Sequence, residues 1–487
     1  MMAHEFQLVV RGASVANADG HVVADVAVRD GLVVEVGAQV AGSGERELDG
    51  RGKVLAPGGI DPHTHFHTPS PDGSLMSADD YESGTRAAAA GGVTTVINYA
   101  FQQLGESLWA TLEREAAKAD GRAHVDYGFH PILTDLLGGS TLAEIAPLVE
   151  AGYPSVKIFT AYDPFRVTDR EAIRVLAAAA RAGALVNVHA EDDGLTHYLT
   201  DTLAAVPATV EPILSTFKRS RPEVAEELAI ERIAVYARTV GCPVYFVHLS
   251  SRGAVEAVRR GRAAGGQIFT EVRPAYLFLD ESRYDEPDGQ RYVCVPPLRT
   301  ADDQAALWDA IAAGEIETSA SDHTTYSSAQ KLGAYESFVD IPPGFASVQT
   351  GLGLLYGRGV AAGRMTLEQF VAITSANAAK LFGLWPRKGC IAPGADADLV
   401  LIDPDRTTTL ADEPLQSASD YDPFVGIEVR GWPSVTVSRG DVVYRDGTIT
   451  SAPGRGRWLH RRLGDPGTDP AIPSFSPRTG TPGPAVT

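Results

Sequence analysis

The 487-residue chain holds only three cysteines, Cys242, Cys294 and Cys390. They are far apart and odd in number, which excludes a disulfide framework, and no CxxC pair offers a zinc knuckle. A reducing compartment is the expectation. Positive charge is also short: 42 lysines and arginines stand against 62 aspartates and glutamates, a formal net charge of -20. Such a surface repels phosphate backbones and anionic membranes, so neither nucleic acid nor a membrane is an expected partner. The N-terminus "MMAHEFQLVV" lacks a basic segment leading into a long apolar stretch. No apolar run approaches the ~20 residues of a membrane span. The expected location is the cytoplasm. Also missing are GxGxxG after a strand and GxxxxGK[ST], the usual marks of a nucleotide-binding open sheet.

What is present is an ordinary globular composition, 44 % apolar and 21 % charged. The length suits one large barrel plus a smaller module. Residues 5–56 read as short strands between glycine turns, as in "FQLVVRGASVA" and "VADVAVRDGLVVEVG". The texture returns late, in "ADADLVLID" and "VRGWPSVTVSRGDVVYRDGTI". Both ends of the chain are therefore expected to build one small β-module. Between them, eight apolar strand candidates alternate with alanine-rich stretches that open on Ser, Thr or Asp and stop at Gly. The candidates are "KVLAPGGID", "VTTVINYAF", "HVDYGFHPIL", "PSVKIFTAY", "ALVNVHAED", "PVYFVHLSS", "QIFTEVRPAY" and "IETSASDHT". Eight strand–helix units in series predict an α/β fold, a (β/α)8 TIM-like barrel. The expected division is 1–56 and 389–455 for the β-module, 57–388 for the barrel, and 456–487 for an extended or partly disordered arm. Arg455, Arg457, Trp458, Arg461 and Arg462, in the early part of the tail 452–487, suit docking on a neighbouring subunit.

Barrel enzymes carry their reactive groups at the carboxyl ends of the strands. Here strand 1 ends in His63 and His65, within "GGIDPHTHFHTP". Strand 4 carries Lys157, strand 5 ends in His189, strand 6 in His248 and strand 8 in Asp322. His63 and His65 are two apart on a strand and so point to one face. Imidazole and carboxylate favour zinc, or another borderline divalent ion such as manganese. Lys157 has apolar neighbours, and burial lowers a lysine's pKa. A neutral amine adds carbon dioxide to become a carbamate, whose two oxygens bridge two cations. Taken singly, each residue has a blander explanation: loop polarity, a structural histidine, a lysine paired with an acid, an N-cap. Five strand ends supplying ligands in series favour a two-metal arrangement bridged by carboxylated Lys157.

With those residues assembled, the chain resembles the amidohydrolase superfamily, in particular the cyclic amidohydrolases of the dihydropyrimidinase and D-hydantoinase type. The matching stretches include "GGIDPHTH", "SVKIFTAY", "VNVHAED", "VHLSS", "YVCVPPLR", "SDHT" and "TSANAAKLFGLWPRKGCIAPGADADLVLIDP". The resemblance implies a binuclear zinc centre on His63, His65, Lys157, His189, His248 and Asp322, and a β-sandwich made from both termini. It implies a homotetramer or homodimer. It also implies hydrolysis of a small cyclic amide, a dihydropyrimidine or hydantoin-like ring, to an N-carbamoyl amino acid by a metal-bridging hydroxide. Tyr162 takes the place of the tyrosine that stabilises the oxyanion, and Asp322 that of the proton carrier.

Three positions depart from the pattern. His67 stands where hydantoinases have Asp, allantoinases Asn and dihydroorotases Arg. It reads either as a substrate contact or as a loop histidine in solvent. Val295 replaces a usual Ser, and Pro343 an Asn, at places where the family holds the substrate ring through backbone groups. A proline has no N–H to donate. "SVQTGLGLLY" is closer to allantoinase. The alternatives are therefore an allantoinase, a hydrolase of another cyclic imide or lactam, and a non-catalytic scaffold on the same fold.

Overall fold

A computed structural model describes residues 4–70, 72–136, 140–411 and 413–463. The chain begins with five strands: β1 (Phe6–Asn17), β2 (Gly20–Arg29), β3 (Leu32–Gly37), β4 (Gly44–Asp49) and β5 (Val54–Pro57). Eight further strands form the barrel: β6 (Gly59–Thr64), β7 (Val93–Phe101), β8 (Asp126–Ile132), β9 (Ser155–Phe159), β10 (Leu185–His189), β11 (Val244–Phe246), β12 (Ile268–Val272) and β13 (Thr318–Ser319). They are parallel and lie in chain order. The ring is closed by a parallel bridge from Thr64 to His323, with the His65 N–H donating to the His323 carbonyl at 3.0 Å. β14 (Leu399–Thr409), β15 (Glu428–Ser438), β16 (Asp441–Arg445) and β17 (Thr448–Ile449) then return to the N-terminal strands.

The terminal strands make one nine-stranded sheet, in the order β17-β16-β15-β14-β5-β1-β2-β3, with β4 also paired to β1. Alternation decides its two faces. Leu55, Leu399, Leu401 and Val437 join Leu8, Val10 and Val26 in a core of the sheet's own. Their neighbours Val54, Ala56, Val400 and Ile402 point the other way, into the barrel's core. The candidate "KVLAPGGID" is thus two strands in two sheets. Gly58 makes the switch possible: a Cβ there would meet Thr94 Oγ1 at 2.2 Å.

The barrel helices follow local rules. The helix Asp169–Ala182 starts at Thr168, which forms a capping box with Glu171, and stops at Gly183 with φ 72°. Ala172, Val175, Leu176 and Ala179 are its buried stripe. All three cysteines are buried and unpaired.

Barrel and terminal sheet are joined by a buried charge cluster below the barrel. Lys388, 1 % exposed, reaches Asp126 at the start of β8 (2.9 Å), Asp396 (3.2 Å) and Asp398. Arg439 and the N–H of Arg457 also meet Asp126, at 3.2 and 3.0 Å. The start of the expected arm is therefore bound to its own chain. Trp458 bridges to Tyr127, and buried Arg461 donates to the Phe129 carbonyl and to Ser155 Oγ. Arg461 is 1 % exposed, so its side chain is not offered to a neighbouring subunit. The rest of the arm, 464–487, lies outside the described residues.

Lys388→Met would remove the cation that three buried carboxylates share. The expected cost is about 3–5 kcal/mol, read as a lower denaturation midpoint in urea.

Candidate metal centre

β6 delivers His63 and His65 to the inner face of the barrel mouth, both buried. The Nδ1 of His63 meets Glu271 Oε1 at 2.7 Å, so its Nε2 faces the cavity. Around that Nε2 stand Asp322 Oδ1 at 3.1 Å, His65 Nε2 at 3.3 Å and Lys157 Nζ at 3.4 Å. His65 Nε2 is also 3.3 Å from Asp322 Oδ1. Ligands at zinc bond lengths in a tetrahedron stand about 3.3 Å apart. The two ring nitrogens and the carboxylate oxygen bring three lone-pair-bearing atoms within 3.3 Å of one another, with the Lys157 amine at the edge of hydrogen-bond range. A cation at their centre resolves this, so the residues present fit a divalent metal.

β10 and β11 supply a second pair. His189 Nδ1 lies 2.9 Å from His248 Nε2. The far nitrogen of His189 is taken by Glu191 at 2.8 Å, and Glu191 in turn by Arg221. Carboxylates behind histidines set the tautomer and aim the lone pair, the usual support behind a metal ligand. Lys157, 1 % exposed, lies between the two groups with its amine 3.9 Å from the Tyr99 ring centroid.

Protonation agrees with this arrangement. Burial lowers His65 to about 4, lowers His189 and drives His248 well down, so all three are neutral, the ligating form. Burial also lowers His63, but Glu271 and Asp322 together raise it above the ordinary value. Burial brings Lys157 down to about 8, even though Asp322 and Glu271 oppose the shift. A fraction of its amine is therefore neutral near neutral pH, as carbamate formation requires. Burial would raise Asp322, yet His63 and Arg273 hold it well below the carboxylate range.

Tyr162 completes the cavity, which measures about 640 Å³ including its open mouth. Its ring lies under the Arg221 guanidinium at 5.2 Å, and burial pushes its hydroxyl up to about 12, so it remains a donor. Tyr162, His248 and Asp322 have φ of 91°, 45° and 48°, unusual for side-chain-bearing residues and typical of strained functional positions.

The six expected ligands, Tyr162, Val295 and Pro343 all line this one cavity. His67 does not. Its φ of 52° turns the loop, its N–H goes to the Asp79 carbonyl, and the charges acting on it belong to Lys118, Glu115, Asp80 and Arg122, outside the barrel mouth. Sequence reasoning missed Glu271, Arg273, Glu191 and Arg221. A signal existed for the first two: in "TEVRP" they are two apart at the end of β12, the same period that singled out His63 and His65.

A closed parallel barrel with such a donor set at the carboxyl ends of its strands has the architecture of a metal-dependent barrel hydrolase. The chain belongs to the amidohydrolase family, whose model matches residues 54–443. It is 38 % identical to the D-hydantoinase of Geobacillus stearothermophilus over 457 residues, 93 % of this chain and 96 % of that one. It is 37 % identical to the D-phenylhydantoinase of Escherichia coli, over 94 % of this chain and 98 % of that one. Among solved structures, the dihydropyrimidinase of Brevibacillus agri superposes with a TM-score of 0.89 at 35 % identity, covering 93 % of this chain and 98 % of that one.

Glu271→Gln removes the carboxylate charge behind His63 and replaces one of its two accepting oxygens with an amide donor. Metal affinity is expected to fall by roughly 10–100-fold, measured by chelator competition. Lys157→Ala is expected to hold fewer metal ions per chain than the unaltered protein, measured by elemental analysis.

Proposed function

We propose that the protein is a metal-dependent cyclic amide hydrolase that opens a hydantoin or dihydropyrimidine ring to an N-carbamoyl amino acid. The observation that carries this is the convergence of His63, His65, Lys157, His189, His248 and Asp322 on one cavity beside Tyr162. The hydantoinase names of its relatives support the same substrate class. Zinc or manganese, two ions bridged by carboxylated Lys157, suits the donors. When bound, such ions supply Lewis acidity and a water that ionises near neutral pH.

The chain's own residues do the rest. Tyr162, protonated and buried, donates to the oxygen that becomes negative as the ring carbonyl is attacked. Asp322 takes the proton of the attacking water and passes it to the leaving nitrogen. Its position beside both histidines of β6 lets one carboxylate reach both sites. Val295 and Pro343 form the wall against which the ring is placed. His67 has no role in this scheme. The scaffold alternative has no missing ligand to support it. The allantoinase alternative rests on Pro343 and stays as a second substrate for the same chemistry.

A homodimer or homotetramer belongs to the same proposal. Val224, Leu228 and Val235 leave an apolar stripe on the outer face of the helix Glu223–Val240, which suits contact with another copy. Among the described residues, no helix is long and apolar enough to cross a membrane. A cytoplasmic location remains part of the proposal.

The test is a panel of rings offered to zinc- and bicarbonate-loaded protein: dihydrouracil, hydantoin, 5-substituted hydantoins of both hands, allantoin, dihydroorotate and succinimide. Hydantoins or dihydrouracil are expected to gain one water by mass spectrometry, and Lys157→Ala to abolish it. Turnover of allantoin alone would reassign the substrate. Inertness toward every ring would sink the proposal.

A further inference from the structure

Lys331 ends the short helix Ser328–Lys331, on the segment that follows Asp322, and is fully buried. Its amine donates to three backbone carbonyls: Val293 at 2.9 Å, Pro342 at 2.7 Å and Gly344 at 3.1 Å. An ammonium has three N–H groups and no lone pair, so each donor here has one acceptor. The groups whose charges act most on Lys331 are Cys294 and Arg273, and neither is a carboxylate. Burial brings the amine down to about 7, while three carbonyl oxygens aimed at it favour the charged form. A buried cation without a carboxylate is unfavourable, and a methionine of similar volume would fill the same space at less cost. Packing alone does not explain a lysine here.

The three carbonyls come from two loops, 293–295 and 342–344, which bring Val295 and Pro343 to the cavity. The loops are also joined directly, the Gly344 N–H donating to the Val293 carbonyl at 2.9 Å. Gly344 lies against the segment after Asp322: its φ is 123°, and a Cβ there would stand 2.5 Å from the Thr324 carbonyl oxygen. Asp322, Thr324, Val295, Pro343 and Gly344 all line the cavity, and Lys331 does not. Lys331 therefore stands behind the wall, bonded to both halves of it, on the chain segment that presents Asp322.

We propose that Lys331 is a positioning residue for ring opening: its amine locks the Val295 and Pro343 loops together and fixes how far the wall they form stands from Asp322. This rests on the cyclic-amide function proposed above. Proton transfer from Asp322 to the leaving nitrogen needs that nitrogen within hydrogen-bond reach. The wall against which the ring rests decides whether it sits there. A misplacement of about 1 Å in such a support costs on the order of a hundredfold in rate.

The experiment compares the unaltered protein with Lys331→Met, Lys331→Gln and Gly344→Ala. It measures kcat and KM for the ring that the unaltered protein opens, hydantoin or dihydrouracil. It also measures metal content and the inhibition constant of acetohydroxamate, a small chelator that binds through the metal ions and needs no wall. Lys331→Met, which keeps the volume and removes the donors, is expected to lower kcat/KM about 10- to 100-fold. Lys331→Gln, one atom shorter and with two N–H groups, recovers part of the loss. Gly344→Ala, which pushes the wall off Thr324 with Lys331 intact, reproduces the loss, and combining it with Lys331→Met adds little further. The acetohydroxamate constant and the metal content stay level throughout. Unchanged kcat/KM in Lys331→Met, fully additive losses in the double variant, a parallel loss of acetohydroxamate binding, or a loss of metal would each overturn the proposal. If Lys331→Met does not fold, Lys331→Gln and Gly344→Ala decide by the same criteria. An unaltered, metal-loaded protein that opens neither ring overturns the function itself, and this assignment with it.

Discussion

Glu271 accepts from three directions: His63 Nδ1 at 2.7 Å, the His248 N–H at 3.0 Å and the Tyr245 hydroxyl at 2.8 Å. It is fully buried, and everything at the barrel mouth follows from where it stands. It fixes which nitrogen of His63 meets the cavity. It also ties down the backbone of His248, a residue with φ of 45°. One carboxylate from β12 therefore coordinates the aim of ligands from β6 and β11. A second carboxylate, Glu191, plays the same part for His189 and is itself held by Arg221. Gathering like acceptors at one point is costly, and contacts within the chain carry that cost.

That cost explains the organisation of the rest of the molecule. The donors sit at one end of a barrel whose other end is tied by Lys388 to Asp126, Asp396 and Asp398. The terminal sheet packs one face on the barrel and closes its other face over a separate core. Three of the residues with positive φ stand at the mouth, where Tyr162, His248 and Asp322 need directions that ordinary strand ends do not give.

Much of this was legible beforehand. The eight barrel strands announce themselves because a parallel sheet covered by helices needs short, continuous apolar runs. His63 and His65 announce themselves because a two-residue period on a strand puts both on one face. Glu271 and Arg273 carried the same period, but an acid and an arginine on a buried strand have no signature until their partners are known. His67 stood open between a substrate contact and a loop position, and a backbone turn with φ 52° keeps it out of the cavity lining. Arg461 looked like an arm residue free for a partner, and the carbonyl of Phe129 claimed it.

The sequence by itself determined the barrel, the terminal β-module and the residue types that could hold a metal, since these depend on periodicity and chemistry along the chain. Only the tertiary structure decided which nitrogen each histidine presents, that Asp322 turns one oxygen to His63 and the other to Arg273, and which carbonyls the Lys331 amine meets. Most of those facts depend on groups from different strands, His63 and Glu271 being 208 residues apart, meeting within about 3 Å, the reach of a hydrogen bond, and no local pattern encodes such a meeting.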